Sequence, residues 1–440
     1  MTASSTPKRV FLFTSKLGYQ TRGFAEAANR LNVELIYVTD RCHQLDDPWG
    51  DGAISVHFEN PEAAAYTAID GISSRLGAVD GVLALGDRPA HAAAFAARGL
   101  GLPFHHPAAV EACRSKLRTR EVLRGAGLPV PWFQAMRTEP MPEPSLLGIA
   151  YPCVLKPLSL SASQGVIRAN HRDEFVQAVT RIARLLATPE IRSTREPNLD
   201  QILVESYIPG REVAVEGLLK DGELRILAIF DKPDPLDGPF FEETIYVTPS
   251  RLGPAEQDAI SRCAREAMRA LGLSHGPVHA EFRINENGVW PIEVAPRPIG
   301  GLCARALRFE SPGSSDRISL EELLLRHALD LPGSDSPRES GASGVMMIPV
   351  PSGGVLERVD GEGEARQTRG ITELIITARL HDHIAAWPEG STYLGFLFAS
   401  GASANDVEQS LREAHGRLHF TLTPRLPVEH PVSGRVGNSG

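Results

Sequence analysis

The chain is poor in lysine and cysteine and contains no long apolar run. Its 440 residues include six lysines against 39 arginines, and five cysteines that form no CxxC pair. The scattered cysteines exclude a disulfide framework, argue against a structural zinc site and favour a reducing cytoplasm. No apolar run approaches the roughly 20 residues that cross a bilayer, and the early VFLF run is too short for a signal sequence.

A surplus of positive charge is also missing. The formal net charge is −9, which provides no electrostatic footprint for nucleic acid or an anionic membrane. The length and an apolar content of 42% predict a soluble protein of two to three domains. Because lysine is rare, a lysine in a strand or beside a glycine-containing loop is more informative here than usual.

The N-terminal part alternates strands and helices, which predicts a parallel α/β layer. The loop containing Gly18 and Tyr19 follows the first strand, at the sheet edge where ligands bind in such folds. A plain strand-to-helix turn is the alternative for that loop. The predicted strands are 8–14, 33–39 and 81–87, and the predicted helices are 21–31, 89–98 and a single amphipathic helix over 108–125.

The rest of the chain predicts two further units separated by a Gly- and Ser-rich linker at 333–344. The third unit reads as a small α+β domain, and residues 425–440 as a frayed tail. The middle unit has strand–loop–strand at 151–169, three strands over 201–230, a helix at 254–271, a hairpin and a helix at 318–329; the last has strands at 344–350, 371–378 and 392–400 and a helix at 404–416.

The segment HAEFRINENGVWPIEVAPRPIGG (279–301) carries two carboxylates on a predicted hairpin. Asn-Gly marks the turn, and pairing centred near Asn287 places Glu281 opposite Glu293. Two carboxylates that close repel unless a cation lies between them, and oxygen ligands suit Mg²⁺. The alternative is an edge hairpin with two solvated acids. Arg297 and the pair Gly300-Gly301 follow, where backbone can approach a ligand.

Two lysines lie where anions could bind. Lys156 ends a hydrophobic strand and precedes the loop SLSASQG, whose small residues allow several N–H groups to converge on one anion. A snorkelling lysine on a surface hairpin is the alternative. Lys116 lies on the helix that enters the second unit, where a solvated cation is the simpler interpretation. The loop is not a Walker A motif.

Two further acids flank the segment SYIPGR. Glu205 closes a strand, and the main chain of 206–208 is free to pair with a base edge. Glu212 begins the next strand, where a carboxylate can accept bonds from two ribose hydroxyls. Two exposed acids at strand ends are the alternative interpretation.

In this order, the motifs resemble the ATP-grasp superfamily over about residues 8–330. The resemblance implies a fold of mixed α/β and α+β class, with ATP between two α+β subdomains. IEVAPRPIGG, DKPDPLDGPFFEETIYVTP (231–249) and YLGFLFA (393–399) are most similar to bacterial L-amino acid ligases. The implied division is an N-terminal parallel α/β domain (1–115), an ATP-grasp domain (116–332), the linker (333–344), a small C-terminal α+β domain (345–424) and a disordered tail (425–440).

The resemblance also implies a role for each matching residue. Lys232 and His279 occupy places where some family members keep phosphate-contacting residues, and Arg297 matches an arginine that stabilises the transferred phosphoryl group and the tetrahedral intermediate. The other expected roles are phosphate binding for Lys116, Lys156 and the loop residues Ser159, Ser161, Ser163 and Gly165; adenine and ribose contacts for Glu205, Ile208 and Glu212; metal binding for Glu281 and Glu293; and substrate contacts for Gly300, Gly301, Arg305, Gly18 and Tyr19.

The implied activity is an ATP-dependent carboxylate–amine ligase that forms an acyl phosphate and then an amide bond between small molecules, most simply amino acids. The implied cofactors are ATP and Mg²⁺, with Mn²⁺ as a substitute, and the C-terminal strands offer an edge for a homodimer. Two alternatives stay open: a biotin-carboxylase-like enzyme that makes carboxyphosphate, and a nucleotide-binding module without turnover. Ala295 stands where many members have a metal-binding Asn, which leaves the metal count open.

Overall fold

The computed structural model describes residues 7–15, 19–40, 53–73, 77–141, 148–311 and 313–424. The predicted parallel layer is confirmed as a four-stranded sheet in the order β3-β2-β1-β4. The predicted strand 81–87 is too long, since the helix α3 already begins at Asp87. The elements are β1 (Lys8–Thr14), α1 (Tyr19–Leu31), β2 (Val33–Thr39), β3 (Ala53–Ser55), α2 (Pro61–Ser73), β4 (Gly81–Leu85) and α3 (Asp87–Leu100).

Both faces of this sheet are covered, because successive side chains of a strand point to opposite sides. In β1, Phe11 and Phe13 pack on the side of α2 and α3. Val10 and Leu12 lie on the other side, in a core that continues into the central part of the molecule. This arrangement joins the N-terminal layer to the rest of the protein.

The predicted single helix over 108–125 is wrong. The structure has two helices, α4 (Pro107–Arg114) and α5 (Lys116–Gly125). Ser115 between them is extended, with φ −97° and ψ 108°, and its side chain accepts a hydrogen bond from the N–H of Arg118. A serine N-cap of this kind restarts a helix without interrupting the apolar pattern. The break places Lys116 at the first position of α5.

The next unit is a small antiparallel sheet in the order β5-β8-β6-β7, with helix α6 on one face. Leu155 and Val204 point towards α6, whereas Lys156 and Glu205 point to the opposite face. The elements are β5 (Phe133–Arg137), β6 (Cys153–Pro157), β7 (Ile167–Ala169), α6 (Arg172–Leu186), α7 (Pro189–Arg192) and β8 (Gln201–Ser206).

The remaining elements form the large central sheet and the C-terminal part. They are β9 (Arg211–Lys220), β10 (Glu223–Asp231), β11 (Ile245–Thr248), α8 (Pro254–Leu271), β12 (Gly276–Asn285), β13 (Gly288–Ala295), a 3-10 helix (Cys303–Ala306), β14 (Arg308–Glu310), β15 (Arg317–Ser319), α9 (Leu320–Ala328), β16 (Ala342–Ile348), β17 (Gly354–Asp360), α10 (Glu362–Arg366), β18 (Ile371–Ile376), β19 (His383–Ile384), β20 (Gly395–Gly401), α11 (Ala404–His415) and β21 (His419–Thr423).

The central sheet has eight strands in the order β13-β12-β9-β10-β11-β16-β20-β18. Strands β16, β20 and β18 of the C-terminal part therefore extend it, and the predicted linker 333–344 ends inside β16. A second sheet, β19-β17-β21, completes the C-terminal part. Among the described helices, none combines the length and apolar character needed to cross a membrane. The predicted tail 425–440 lies outside the described residues.

A buried histidine should make folding stability depend on acid. Nε2 of His105 lies 3.1 Å from Pro277 O, and Nδ1 accepts a hydrogen bond from the N–H of Ser274 at 3.3 Å. A neutral ring satisfies both contacts, and burial lowers the pKa of His105 to about 4. As the pH falls below the pKa of this histidine in the unfolded chain, near 6.5, the unfolded chain binds a proton that the folded chain does not bind. The folded state therefore loses stability.

We expect His105 alone to remove up to about 3 kcal/mol of unfolding free energy between about pH 7.5 and 4, and to contribute little to the pH dependence above about 7.5, where the histidine is neutral in both states. Urea unfolding at several pH values measures the slope. His105→Gln keeps a donor and an acceptor but does not titrate, so its slope over this range should be shallower. Equal slopes in both proteins would contradict the expectation.

Candidate active site

One face of the central sheet collects charged side chains. In β9, Val213 and Val215 pack towards α8, so the residues that alternate with them, Glu212, Ala214 and Glu216, point the other way. The antiparallel register aligns β12 with β9 on that same face. The charged side chains on it are those of Glu212, Glu216, His279, Glu281, Arg283 and Glu293. An otherwise well-packed sheet would not concentrate so many ionisable groups unless they had partners or a ligand.

The predicted pairing of Glu281 with Glu293 is confirmed. The turn by itself would produce a different register, since Asn285 pairs with Gly288 and Phe282 with Pro291. A β-bulge then adds one residue to β13, which shifts Glu293 opposite Glu281. Proline has no N–H to give to the ladder and is tolerated at such irregularities. The bulge therefore brings the two predicted metal acids together.

The ammonium group of Lys232 lies among three carboxylates. Its Nζ donates to Glu212 Oε1 at 2.8 Å and to Glu281 Oε1 at 2.9 Å, and it also binds Glu243. The side chain is only 3% exposed. Burial alone would lower the pKa of Lys232, but the three carboxylates raise it well above its usual value. Arg283 Nε also donates to Glu212 Oε2 at 2.8 Å, and burial raises the pKa of Glu243 to about 7, so the charges of this cluster are largely balanced.

His279 links this cluster to a buried acid. Its Nδ1 lies 3.1 Å from Glu216 Oε2, and its Nε2 lies 3.7 Å from Glu281 Oε1. Glu216 Oε1 in turn accepts the N–H of Ile299 at 3.1 Å. Burial would lower the pKa of His279, but the hydrogen bond with Glu216 and the nearby carboxylate of Glu281 raise it to about 9. His279 is therefore a cation at neutral pH, with its ring orientation set by Glu216.

The small sheet presents a second charged group. Glu205 Oε1 accepts from Nε of Arg120 at 2.5 Å, and Glu205 Oε2 lies 2.5 Å from Lys156 Nζ. Burial would raise the pKa of Glu205, but the two cations hold it at about 2. Arg120 also donates to Ile292 O in β13 at 2.9 Å, which ties the two sheets together. Both carboxylate oxygens of Glu205 are therefore occupied, so only its main chain could contact a nucleotide base.

The loop between β6 and β7 (158–166, the serine loop) lies next to both lysines. Lys116 Nζ donates to Leu160 O at 2.5 Å, and Ser159 Oγ donates to Pro197 O at 2.9 Å. Ala162 and Ser163 have left-handed backbones, with φ 55° and 53°. Gly165 also has positive φ, and a Cβ there would lie 2.8 Å from Pro157. The loop is therefore a tight, non-repetitive turn of small residues.

Arg297 is bound to an acid from the N-terminal layer. Its Nε donates to Asp87 Oδ1 at 2.7 Å, and its Nη2 to Asp87 Oδ2 at 3.4 Å. Asp87 follows β4 and begins α3, so it lies at the carboxyl end of a parallel strand. Burial disfavours the charged guanidinium, but Asp87 raises the pKa of Arg297 further above its usual range. The arginine is held in place by a partner 210 residues away.

The structure describes only some of the predicted substrate residues. Gly300 has open space where a Cβ would be, and Gly301 has φ 62° with Phe396 of β20 nearby. Arg305 forms a two-bonded ion pair with Glu373, at 2.7 Å to each oxygen. Gly18 and the side chain of Tyr19 lie outside the described residues. Arg305 is therefore occupied by the C-terminal part in this structure.

Five charged residues of the site were missed from the sequence: Asp87, Arg120, Glu216, Glu243 and Arg283. Asp87 had a usable signal, because it follows a predicted parallel strand at the edge where ligands bind. Glu243 lies in the segment 231–249, whose acids no local pattern distinguishes. Arg120 is one of three arginines in RSKLRTRE, and only the fold shows which of them turns inwards. Glu212, Glu243 and Glu281 offer oxygen atoms within 4.8 Å of one another.

Comparison with known proteins identifies the family. Residues 149–306 match the model of the ATP-grasp domain, and residues 346–423 match that of L-amino acid ligase C-terminal domain 2. The fold superposes on the crystal structure of an L-amino acid ligase from Bacillus licheniformis with a TM-score of 0.77 and 27% identity, covering 96% of this chain and 100% of that one. The chain belongs to the ATP-grasp superfamily.

Two curated relatives of this ATP-grasp protein are ligases. The alanine–anticapsin ligase of Bacillus amyloliquefaciens is 28% identical over 217 residues, which are 47% of this chain and 45% of the relative. The D-alanine–D-alanine ligase of Marinobacter nauticus is 27% identical over 219 residues, 48% of this chain and 61% of the relative. The chain thus spans about half the length of these two ligases.

Asp87→Asn should lower the turnover of the ligase about tenfold, because Arg297 loses the charge that orients it. Asparagine still accepts one hydrogen bond, so we expect the unfolding free energy to fall by only about 1–2 kcal/mol. Phosphate release with ATP and thermal unfolding measure the two effects. Asp80→Asn, which alters an exposed acid that accepts the N–H of Arg9, is the control. Unchanged turnover in Asp87→Asn would contradict the positioning role.

Proposed function

We propose that this ATP-grasp ligase joins two amino acids through an acyl phosphate. The observation that carries the proposal is the connection between the two charged groups. Arg120 joins them, because its guanidinium binds Glu205, the partner of Lys156, and also Ile292 O, next to Glu293 of the central sheet. A nucleoside triphosphate bound between them would have lysines next to its phosphates and carboxylates next to the metal ion that those phosphates carry. The C-terminal match to L-amino acid ligases supports amino acid substrates.

The nucleotide contacts follow from the same arrangement. Lys116, Lys156 and the N–H groups of the serine loop would hold the phosphates. The main chain around Glu205 and Ile208 would contact adenine, and Glu212 the ribose. Lys156 is bonded to Glu205, so phosphate binding would draw its ammonium away from that carboxylate or share it. Ribose binding would likewise compete with Arg283 and Lys232 for Glu212.

The acids of the central sheet fit a hard divalent cation. The donors are carboxylate oxygens only, which Mg²⁺ prefers and Mn²⁺ accepts. Glu281 and Glu293 would hold the ion, and Glu243 and Glu212 have oxygen atoms within 4.8 Å of one from Glu281. The bound ion offsets the charge of the phosphates. Ala295 lies opposite His279 in the hairpin and offers no side-chain oxygen.

The chemistry needs position and charge more than covalent participation. A substrate carboxylate oxygen attacks the γ-phosphorus, and the bond to the ADP oxygen breaks. The amine nitrogen of the second substrate then attacks the acyl carbon, loses a proton and expels phosphate. Arg297 has a planar fork that can hold phosphoryl or tetrahedral oxygens in two places. Gly300 and Gly301 leave room for a substrate beside the backbone.

The test is phosphate release with Mg-ATP across a matrix of amino acid pairs, with mass spectrometry of the products. The proposal predicts that phosphate release depends on both amino acids and that the product mass equals the two substrates minus water. Release stimulated by bicarbonate instead of an amino acid pair would favour the carboxylase-type reaction. Tight ATP binding without release for any pair would favour a binding module. The family relationships favour neither alternative.

A further inference from the structure

The serine loop is bound to the C-terminal part of the chain. The contacts are made by Trp387–Glu389, which we call the docking segment. Trp387 Nε1 donates to Ala162 O at 3.3 Å, and the N–H of Gly165 donates to Pro388 O at 2.8 Å. Gln164 Nε2 donates to Glu389 O at 2.7 Å. Three hydrogen bonds therefore join the serine loop to the C-terminal part of the chain.

One ion pair reinforces this contact from the other side of the small sheet. Arg181 of α6 donates from Nε to Glu389 Oε1 at 2.5 Å and from Nη2 to Glu389 Oε2 at 2.8 Å. Its guanidinium also lies over the ring of Phe240, 4.8 Å from the centroid. Arg181 thus contacts the docking segment and the segment 233–243 at once.

The segment 233–243 is joined to the small sheet as well. The N–H of Arg168 donates to Pro239 O at 2.9 Å, and its Nη1 to Asp237 O at 2.7 Å. Ile167 and Phe240 form an isolated antiparallel bridge. The small sheet, the serine loop and the segment 233–243 therefore meet the docking segment as one connected surface. Movement of the small sheet away from the central sheet would have to break the Arg181–Glu389 pair.

We propose that Arg181 and Glu389 are positioning residues. They hold the serine loop closed after the acyl phosphate has formed and until the amine attacks it. This rests on the proposed ligase reaction, in which water must be excluded from a reactive intermediate. The side chains are 44% and 40% exposed, and exposed ion pairs stabilise by up to about 1 kcal/mol. A contact that weak can open in each turnover to release product, yet it shifts the loop towards the closed state.

The first test measures coupling between ATP use and bond formation. Arg181→Met or Glu389→Gln should raise the ratio of phosphate released to amide formed by about two- to fivefold, the population shift that up to about 1 kcal/mol produces. The double variant should be no worse than either single one. The exchange Arg181→Glu with Glu389→Arg should restore coupling. Glu413→Gln, which breaks an exposed pair between Glu413 of α11 and Arg417 just after that helix, should leave the ratio unchanged.

The second test does not depend on the substrates. Hydrogen exchange of residues 158–169 should speed up in Arg181→Met and Glu389→Gln, both bound to a non-hydrolysable ATP analogue with Mg²⁺, relative to Glu413→Gln. If no amino acid pair yields product, the proposed reaction fails, while faster exchange still supports the closing role. Normal coupling and normal exchange in folded Arg181→Met would overturn the inference. Gln164→Ala, which removes another bond to the docking segment, should show the same faster exchange.

Discussion

Replacing Arg297 with lysine should lower the turnover of this ligase by about 10²–10³-fold while ATP still binds. Lysine keeps the positive charge but loses the planar fork that can contact two oxygens together. Nε and Nη2 of Arg297 both bind Asp87, so the orientation of the fork is set by the N-terminal layer. A flexible ammonium cannot keep that bond and also face a reacting group. Initial rates of product formation, with nucleotide affinity from calorimetry, separate the two effects.

The control for this substitution is Arg225→Lys. Arg225 is half-buried and donates to Ser334 O and Ser336 O, and it contacts none of the acids of the charged face. It should lose some stability but keep turnover once folded. If Arg297→Lys retains more than a tenth of the wild-type rate, Arg297 does not stabilise the transition state. If ATP affinity falls as far as the rate does, the residue binds the ground state instead.

Glu293→Gln should also lower turnover, by at least about 10²-fold. It removes one of the two opposed carboxylates and with it a charged ligand for the cation. Within the described part of the chain, the carboxylate of Glu293 forms no hydrogen bond and no ion pair closer than 4 Å. The substitution should therefore change the unfolding free energy by less than about 1 kcal/mol. Glu281 is a poorer target, because it binds Lys232 and lies beside His279.

The measurement for Glu293→Gln is turnover together with Mn²⁺ binding in the presence of ATP, followed by electron paramagnetic resonance. We expect weaker Mn²⁺ binding and a thermal midpoint close to that of the wild type. Glu286→Gln, at the exposed turn of the same hairpin, is the matched control and should change neither quantity. Full activity in Glu293→Gln would remove this residue from the metal site, and unchanged Mn²⁺ binding would do so independently.

Local patterns were sufficient for most elements of the fold. The parallel layer, the helix over 254–271 and the Asn-Gly hairpin were predicted because apolar periodicity and turn residues act within a few positions. The break at Ser115 was missed, since an N-cap serine leaves the apolar stripe intact. The pairing of Glu281 with Glu293 was expected from a turn centred near Asn287, but it depends on a bulge in β13. The correct pair was thus predicted, but without the bulge that produces it.

The sequence by itself determined which residue types this enzyme places in its site: rare lysines, a small-residue loop, paired acids and an arginine. It did so because strand ends and turns present side chains over short, predictable spacings. Only the tertiary structure decided their partners. Asp87 reaches Arg297, Lys232 lies among three acids, and Glu389 binds Arg181. These contacts join positions far apart in the chain, and each depends on how whole sheets and loops meet, which no local pattern encodes.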